Sequence, residues 1–209
     1  MLESNRIAFK EWASIVAVLG KGEQILILRK GGIHEKGKKF DVAHQEFFLF
    51  PTFEHQNPED LKPEGSEILK KILAGRGEVS SPRRGNPAPT TENTVPIQYY
   101  CTVENSFWIT HENVLQQLDP FHIWSEACLK SRFDWGDQKG IFGIVVRTYC
   151  FPEPLFLENL KHYGGCRSWV ELEKFIPTGQ LKPVLPENVF QSQKNLIEKI
   201  FRKLVSKGV

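Results

Sequence analysis

The stretch Gln24-Ile25-Leu26-Ile27-Leu28-Arg29-Lys30-Gly31-Gly32-Ile33-His34-Glu35-Lys36-Gly37-Lys38-Lys39-Phe40-Asp41-Val42-Ala43-His44-Gln45-Glu46-Phe47-Phe48-Leu49-Phe50-Pro51-Thr52-Phe53-Glu54-His55 decides how the chain is read. Its two apolar runs, 25–28 and 47–50, are too short for helices, and four adjacent apolar residues fit strands covered on both faces. Each run ends on polar groups, Arg29-Lys30 after the first and Glu54-His55 soon after the second. Two buried strands whose C-terminal ends deliver polar side chains form a common frame for a site.

Upstream, Trp12 to Leu19 is separated from the first run by Gly20-Lys21-Gly22-Glu23, which reads as a β-hairpin with a glycine turn; a short helix in place of the first strand is compatible with Ala13, Ala17 and Leu19. Downstream, short helices are expected near Pro58–Lys62, over Ser66–Leu73 with Ser66 as a cap, after Thr110, and from Trp124 to Ser131. Strands are expected over 97–103 and 141–149. Residues 132–140 read as a turn, and the prolines and glycines of 150–186 leave room only for short elements. The chain closes with an amphipathic helix from about Pro186 to Ser206, with Leu196, Ile200 and Leu204 in one apolar row and Ile197, Phe201 and Val205 in the next, while Lys194, Lys199, Arg202 and Lys203 face away. Residues 74–94 contain almost nothing able to pack and read as a mobile loop.

These elements predict a single α+β domain over 1–209, built on a mixed, mostly antiparallel sheet of strands 12–19, 24–30, 46–53, 97–103 and 141–149, with peripheral helices. A small β-barrel with peripheral helices is the alternative. At 209 residues the chain can bury roughly two-thirds of its unfolded surface. A content of 40% hydrophobic and 25% charged residues is that of a soluble globular protein. The four cysteines are widely spaced and no leader is evident, which predicts a reducing, cytoplasmic setting. No run approaches a membrane span. Oligomeric state is not encoded in any recognisable pattern.

A net charge of +2 excludes nothing, but its distribution is uneven. Residues 29–39 carry five Lys/Arg against Glu35, and residues 40–62 carry five Asp/Glu against Lys62. Gly32 to Lys38 has the spacing G-x-x-x-x-G-K of a phosphate-binding loop. That loop needs Ser or Thr after its lysine and a following helix; here Lys39 occupies the place and a strand pattern follows, so an NTP-binding loop is excluded. Arg29, Lys30, Lys36, Lys38 and Lys39 remain suited to phosphate oxygens, as they are to water or to the acidic block. Arg132 and Arg147, near Trp135 and Tyr149, add cations beside aromatic rings that can stack bases. An inward-facing Arg147 would need a carboxylate such as Asp41, Glu46 or Asp134.

His34, His44 and His55 lack metal-ligand spacing, so no metal is assigned. Cys166, between Gly165 and Arg167, is the cysteine whose thiolate a neighbouring cation would favour, but it has no assigned base. No cofactor is expected; a nuclease or other hydrolase would draw on His55, His44, Glu46 and Glu54, and only that alternative would need magnesium; Asp60-Leu61-Lys62 and Asp137-Gln138-Lys139 supply acid-x-lysine pairs outside the convincing strands.

Five segments, Lys10-Glu11-Trp12-Ala13, Ile25 to Ile33, Phe50 to Gln56, His122-Ile123-Trp124 and Arg132-Phe133-Asp134-Trp135, together resemble a bacterial, largely cyanobacterial family classed as a domain of unknown function. The resemblance covers most of the chain apart from 74–94 and the C-terminal helix. It implies no catalytic residues, and by domain association it implies a link to restriction-type DNA metabolism. The leading expectation is therefore a non-catalytic module for nucleic acid or a phosphate ligand, using Arg29, Lys30, Lys36, Lys38, Lys39, Arg132 and Arg147. The alternative is the metal-dependent nuclease or hydrolase.

Overall fold

The computed structural model of the protein describes residues 1–30, 42–53, 56–78, 93–165 and 167–205. In chain order the elements are β1 (Ser4–Trp12), α1 (Ala13–Lys21), β2 (Leu26–Arg29), β3 (Glu46–Thr52), α2 (Pro63–Glu78), β4 (Thr94–Ile109), α3 (Glu112–Leu118), α4 (Glu126–Asp134), β5 (Ile141–Glu158), β6 (Trp169–Pro177), β7 (Lys182–Pro183) and α5 (Glu187–Val205). Six strands run in the order β2-β5-β4-β3-β1-β6, and β7 adds to β5. Among the described residues, β1 and β3 alone pair in parallel. The protein is thus α+β with a mixed, mostly antiparallel sheet, as the sequence implied.

The strand expected over 12–19 is a helix. Ala13, Ser14, Ile15, Val16, Val18 and Leu19 are all buried in α1, so the helix is apolar almost all round and offers no periodicity to separate it from a strand. The glycines read as a hairpin turn end that helix: Gly22 adopts φ 70° and its N–H reaches the Leu19 and Val18 carbonyls. The first strand lies earlier, at 4–12, and β2 pairs with β5 rather than with the segment before it.

Three further corrections concern length and capping. β4 and β5 extend to 16 and 18 residues, through Pro96, Pro152 and Pro154, with register shifts between Ile97 and Tyr99 and between Val103 and Asn105. Such bulges let a long strand bend and accept proline. Strand β6 lies in the segment expected to hold only short elements. Helix α2 starts at Pro63, so Ser66 sits within its first turn, and His111 rather than Thr110 precedes α3 without a side-chain cap. Helix α2 also takes up 74–78 and β4 takes up Thr94, while 79–92 lie outside the described residues.

A flat sheet would hold β2 and β6, five spacings apart, roughly 24 Å from one another. Instead the Arg29 side chain on β2 touches Ser168 at the start of β6 at 3.0 Å, so the sheet curls until its two edges face each other. The curl makes two cores. One joins Ala8, Phe48, Phe50, Ile97, Tyr100, Phe151, Val170 and Ile176. The other packs the helices on the sheet, through Phe9, Leu19, Leu26, Leu28, Trp124, Ile144, Phe190 and Ile197 among others. Helix α5 docks through Phe190, Ile197 and Phe201, the last stacked on Phe107 at 3.8 Å, while Leu196, expected in the apolar row, is 55% exposed. Lys194, expected to face away, pairs with Glu104 at 2.8 Å.

A strap links α2 to the segment after α3. Lys62 donates through its backbone N–H to the Ile123 carbonyl and through Nζ to the His122 carbonyl, both at 2.9 Å, and Gln24 Oε1 accepts from the Ile123 N–H. This strap turns the His122 ring inward, where neither nitrogen has a hydrogen-bond partner. Burial, reinforced by the charge on Lys62, lowers its pKa from 6.5 to about 4. An unfolded chain therefore binds a proton that the folded one refuses between those values, so stability is full above pH 6.5 and declines as pH falls toward 4. At ~1.4 kcal/mol per unit the loss is on the order of 3 kcal/mol. Urea unfolding midpoints measured from pH 7 to pH 4 should fall accordingly, and His122→Phe should remove most of the slope over that interval.

Candidate functional site

The seam where the sheet edges meet gathers the polar groups delivered by β1 and β2. Along the end of β1 side chains alternate between faces. Lys10 turns to one face, where Nζ donates to the Tyr163 and Gly165 carbonyls at 2.8 and 2.9 Å. Glu11 turns to the other, 1% exposed, with Oε1 accepting from the Trp12 N–H at 2.8 Å.

Arg29, the last residue of β2, reaches across the seam. Its Nε and Nη2 donate to Ser168 Oγ at 3.3 and 3.0 Å, its Nη1 lies 3.8 Å from Glu11 Oε2, and the guanidinium sits 5.4 Å from the Phe9 ring centre. Arg132, from the last turns of α4, lies 3.7 Å above the Trp124 ring and 5.5 Å from that of Trp12, and the two indoles meet at 4.8 Å. Burial pulls the Arg132 pKa down, while Cys128, Glu11 and Asp60 oppose that shift and Arg29 adds to it. The two guanidiniums thus balance the two carboxylates Glu11 and Asp60. Cys128, one turn before Arg132, has its thiol pKa pushed up by burial.

The seam is not fully satisfied. Glu11 Oε2 and Gln56 Oε1 are buried and accept no hydrogen bond. Thr52 joins them: its Oγ1 donates to the Glu11 carbonyl at 3.1 Å, and its own carbonyl takes the Gln56 side-chain N–H.

Of the residues singled out from sequence, Arg29 and Arg132 meet here. Lys30 does not contribute a free charge, because its Nζ donates to the carbonyls of Gln138, Gly140 and Phe133 at 2.6, 2.7 and 3.2 Å. It pins the turn after α4, and burial lowers its pKa against the opposing charge of Asp134. Arg147 is elsewhere, 12% exposed, paired at 2.5 Å with Glu187 at the start of α5 and not with the carboxylates the sequence suggested. Glu46, six residues along β3 from Thr52 and so roughly 20 Å away, pairs with the N-terminal amine and accepts from Tyr100 Oη at 2.7 Å. His44 meets the Trp169 ring edge-on at 5.0 Å. His34, Lys36, Lys38, Lys39, Asp41, Glu54, His55 and Cys166 lie outside the described residues. Among the described residues no three His, Cys, Asp or Glu side chains are grouped to hold a metal ion, and no helix is long and apolar enough to cross a membrane.

Over residues 8–195 the sequence matches the model of a family described as a domain of unknown function, DUF1802. The chain belongs to that family. No curated protein matches it. Among solved structures, the ASCH protein of Zymomonas mobilis matches at 11% identity and a TM-score of 0.42, covering 96% of this chain and 93% of that one. A single-residue mutant of that protein matches at 10% identity and 0.43, covering 94% and 99%. Likeness at that level defines neither the fold nor the activity of the DUF1802 chain.

All five segments that carried the family resemblance supply side chains or backbone to this region. Sequence reasoning missed Glu11, Ser168 and Gln56 as members of the site. Glu11 and Gln56 were inside quoted segments, but a carboxylate flanked by Lys10 and Trp12 reads as ordinary surface, and Ser168 carries no motif.

Because Lys30 is committed to three carbonyls, Lys30→Met should act on stability. Thermal unfolding should report a loss of about 2 kcal/mol, the order expected for charge-assisted hydrogen bonds.

Proposed function

We propose that this DUF1802 chain is a binding module for the phosphate backbone of a nucleic acid, without catalysis, and that it uses the seam. The observation carrying this reading is the state of Arg29. Its guanidinium opens to the seam, and its hydrogen-bond partner is a neutral serine hydroxyl that a phosphate oxygen would outcompete as a charged acceptor. Arg167, next to Ser168, is exposed and makes no ion pair among the described residues. The sequence that leaves β2 immediately continues into Lys36, Lys38 and Lys39. Several cations close together in the sequence would neutralise successive phosphates, and release of their counterions would supply affinity that is largely independent of base sequence. The hydrolase alternative finds less support, since Glu46 is engaged with the N-terminal amine and His44 with Trp169.

Labelled single- and double-stranded DNA and RNA, titrated at several salt concentrations with and without magnesium, test this reading. Binding should weaken linearly on a log–log plot against salt, and the labelled strands should stay intact. The triple change Lys36→Ala, Lys38→Ala, Lys39→Ala should flatten the slope by about 0.7 per lost contact to a single strand, with Arg167→Ala doing the same on a smaller scale. Binding that ignores salt, or magnesium-dependent cleavage, would overturn the proposal. Arg29→Ala is the less informative variant, because it strands the buried Glu11 charge and destabilises the fold as well.

A further inference from the structure

Two buried side-chain oxygens near the seam, Glu11 Oε2 and Gln56 Oε1, accept no hydrogen bond. Both residues are held to Thr52 by other atoms, Glu11 through its backbone carbonyl and Gln56 through its side-chain N–H. Buried acceptors left without donors are costly, more so when charged. A ligand that relieves both must therefore present N–H or O–H groups. A metal ion or an ammonium would also suit a carboxylate, but Arg29 stands 3.8 Å from Glu11 and Arg132 is close enough to feel its charge, so a further cation would meet two positive neighbours. What fits is a neutral group rich in N–H donors, attached to something anionic that the rim can hold.

We infer that the floor of the seam takes the amino-bearing edge of a nucleobase, with the exocyclic N–H of adenine or cytosine donating to Glu11 Oε2. The inference rests on the nucleic-acid reading above and adds base discrimination to it. Thymine and uracil present carbonyl oxygens on either side of their single N–H, and these oxygens would face the Glu11 carboxylate with like partial charge. Access is through the side where the sheet has no backbone ladder. Among the described residues β2 pairs with β5 alone, and Arg29 joins it to the opposite edge by side-chain contacts with Ser168 and Glu11. When a phosphate takes the Arg29 guanidinium from Ser168, that link is released and no strand pairing is broken. Arg132 stays close enough to Glu11 to balance its charge while the incoming donor fills the empty acceptor. Phosphate capture at the rim and base reading at the floor are thereby coupled.

The test uses the full chain and fluorescently labelled single-stranded DNA 12-mers of dA, dC and dT, with an abasic 12-mer carrying the same phosphates as the charge-matched control. The dA and dC strands should bind at least tenfold more tightly than the dT and abasic strands at equal salt. Glu11→Gln should bring all four within about threefold, with affinity for the abasic strand not reduced. Because that variant alters a buried charge, its melting temperature is measured alongside. Should it fail to fold, the wild-type ranking decides on its own. Equal, salt-dependent binding of all four strands overturns base reading and leaves the backbone module standing. Absence of binding to any strand overturns both.

Discussion

A buried carboxylate facing a guanidinium across an unpaired sheet edge is the constraint on which the rest of the site depends. Glu11 is enclosed, and an enclosed anion without a cation would be expelled or neutralised. Arg29 supplies that cation from β2 and Arg132 adds to it from α4. The three residues come from elements that are not neighbours in the sheet order, so the charges can approach only when the sheet is curled and α4 lies over its end. The electrostatic requirement and the curvature select each other.

The curl is also produced by packing. Long β4 and β5, bent at their bulges, bring Ile97 and Phe151 together with Phe48, Ala8 and Val170 in one core, while the helices share the other with Leu26, Leu28, Phe47 and Trp124. Loops on this frame are held by lysines rather than by more backbone pairing. Lys10 binds the Tyr163 and Gly165 carbonyls, Lys30 those of Phe133, Gln138 and Gly140, and Lys62 that of His122. An ammonium has three donors and no acceptor, which suits it to gathering the carbonyls that a chain reversal leaves unpaired. The basic composition of such a protein overstates the charge it can offer a ligand.

That use of lysine explains what could be read from the sequence and what could not. Runs 25–28 and 47–50 declared themselves as buried strands, and Arg29 as the polar end of one, because four adjacent apolar residues that end at a glycine-rich segment or at a proline admit few other readings. Residues 12–19 did not, since a helix buried all round and a buried strand present the same composition. Lys30 looked like a partner of Arg29, yet the alternation of a strand sends adjacent side chains to opposite faces, and only the fold shows which face holds the Gln138 and Gly140 carbonyls. Arg147 was rightly expected to need a carboxylate, but Glu187 lies forty residues on, at a helix start no local pattern connects to β5. Glu11 was invisible for a related reason: its importance comes from burial, and burial of a charge is decided by tertiary partners.

A cleft of about 350 Å³ lies between α3 and α4, lined by Leu115 and Leu129 with Glu112, Gln116, Asp119, Glu126 and Lys130 around it. Its charges are largely spoken for, Lys130 by Glu112 at 2.9 Å and Asp119 by Lys62 at 3.0 Å, and none of its lining residues has a buried polar atom without a partner. A solvent-filled groove of that kind gains little from a particular ligand, because water already satisfies its rim. At the seam the balance is reversed: buried acceptors stand without hydrogen-bond donors, and a guanidinium has a neutral serine as its hydrogen-bond partner. Specific recognition depends on what a ligand completes more than on the space it fills, and the seam is where this fold is left incomplete.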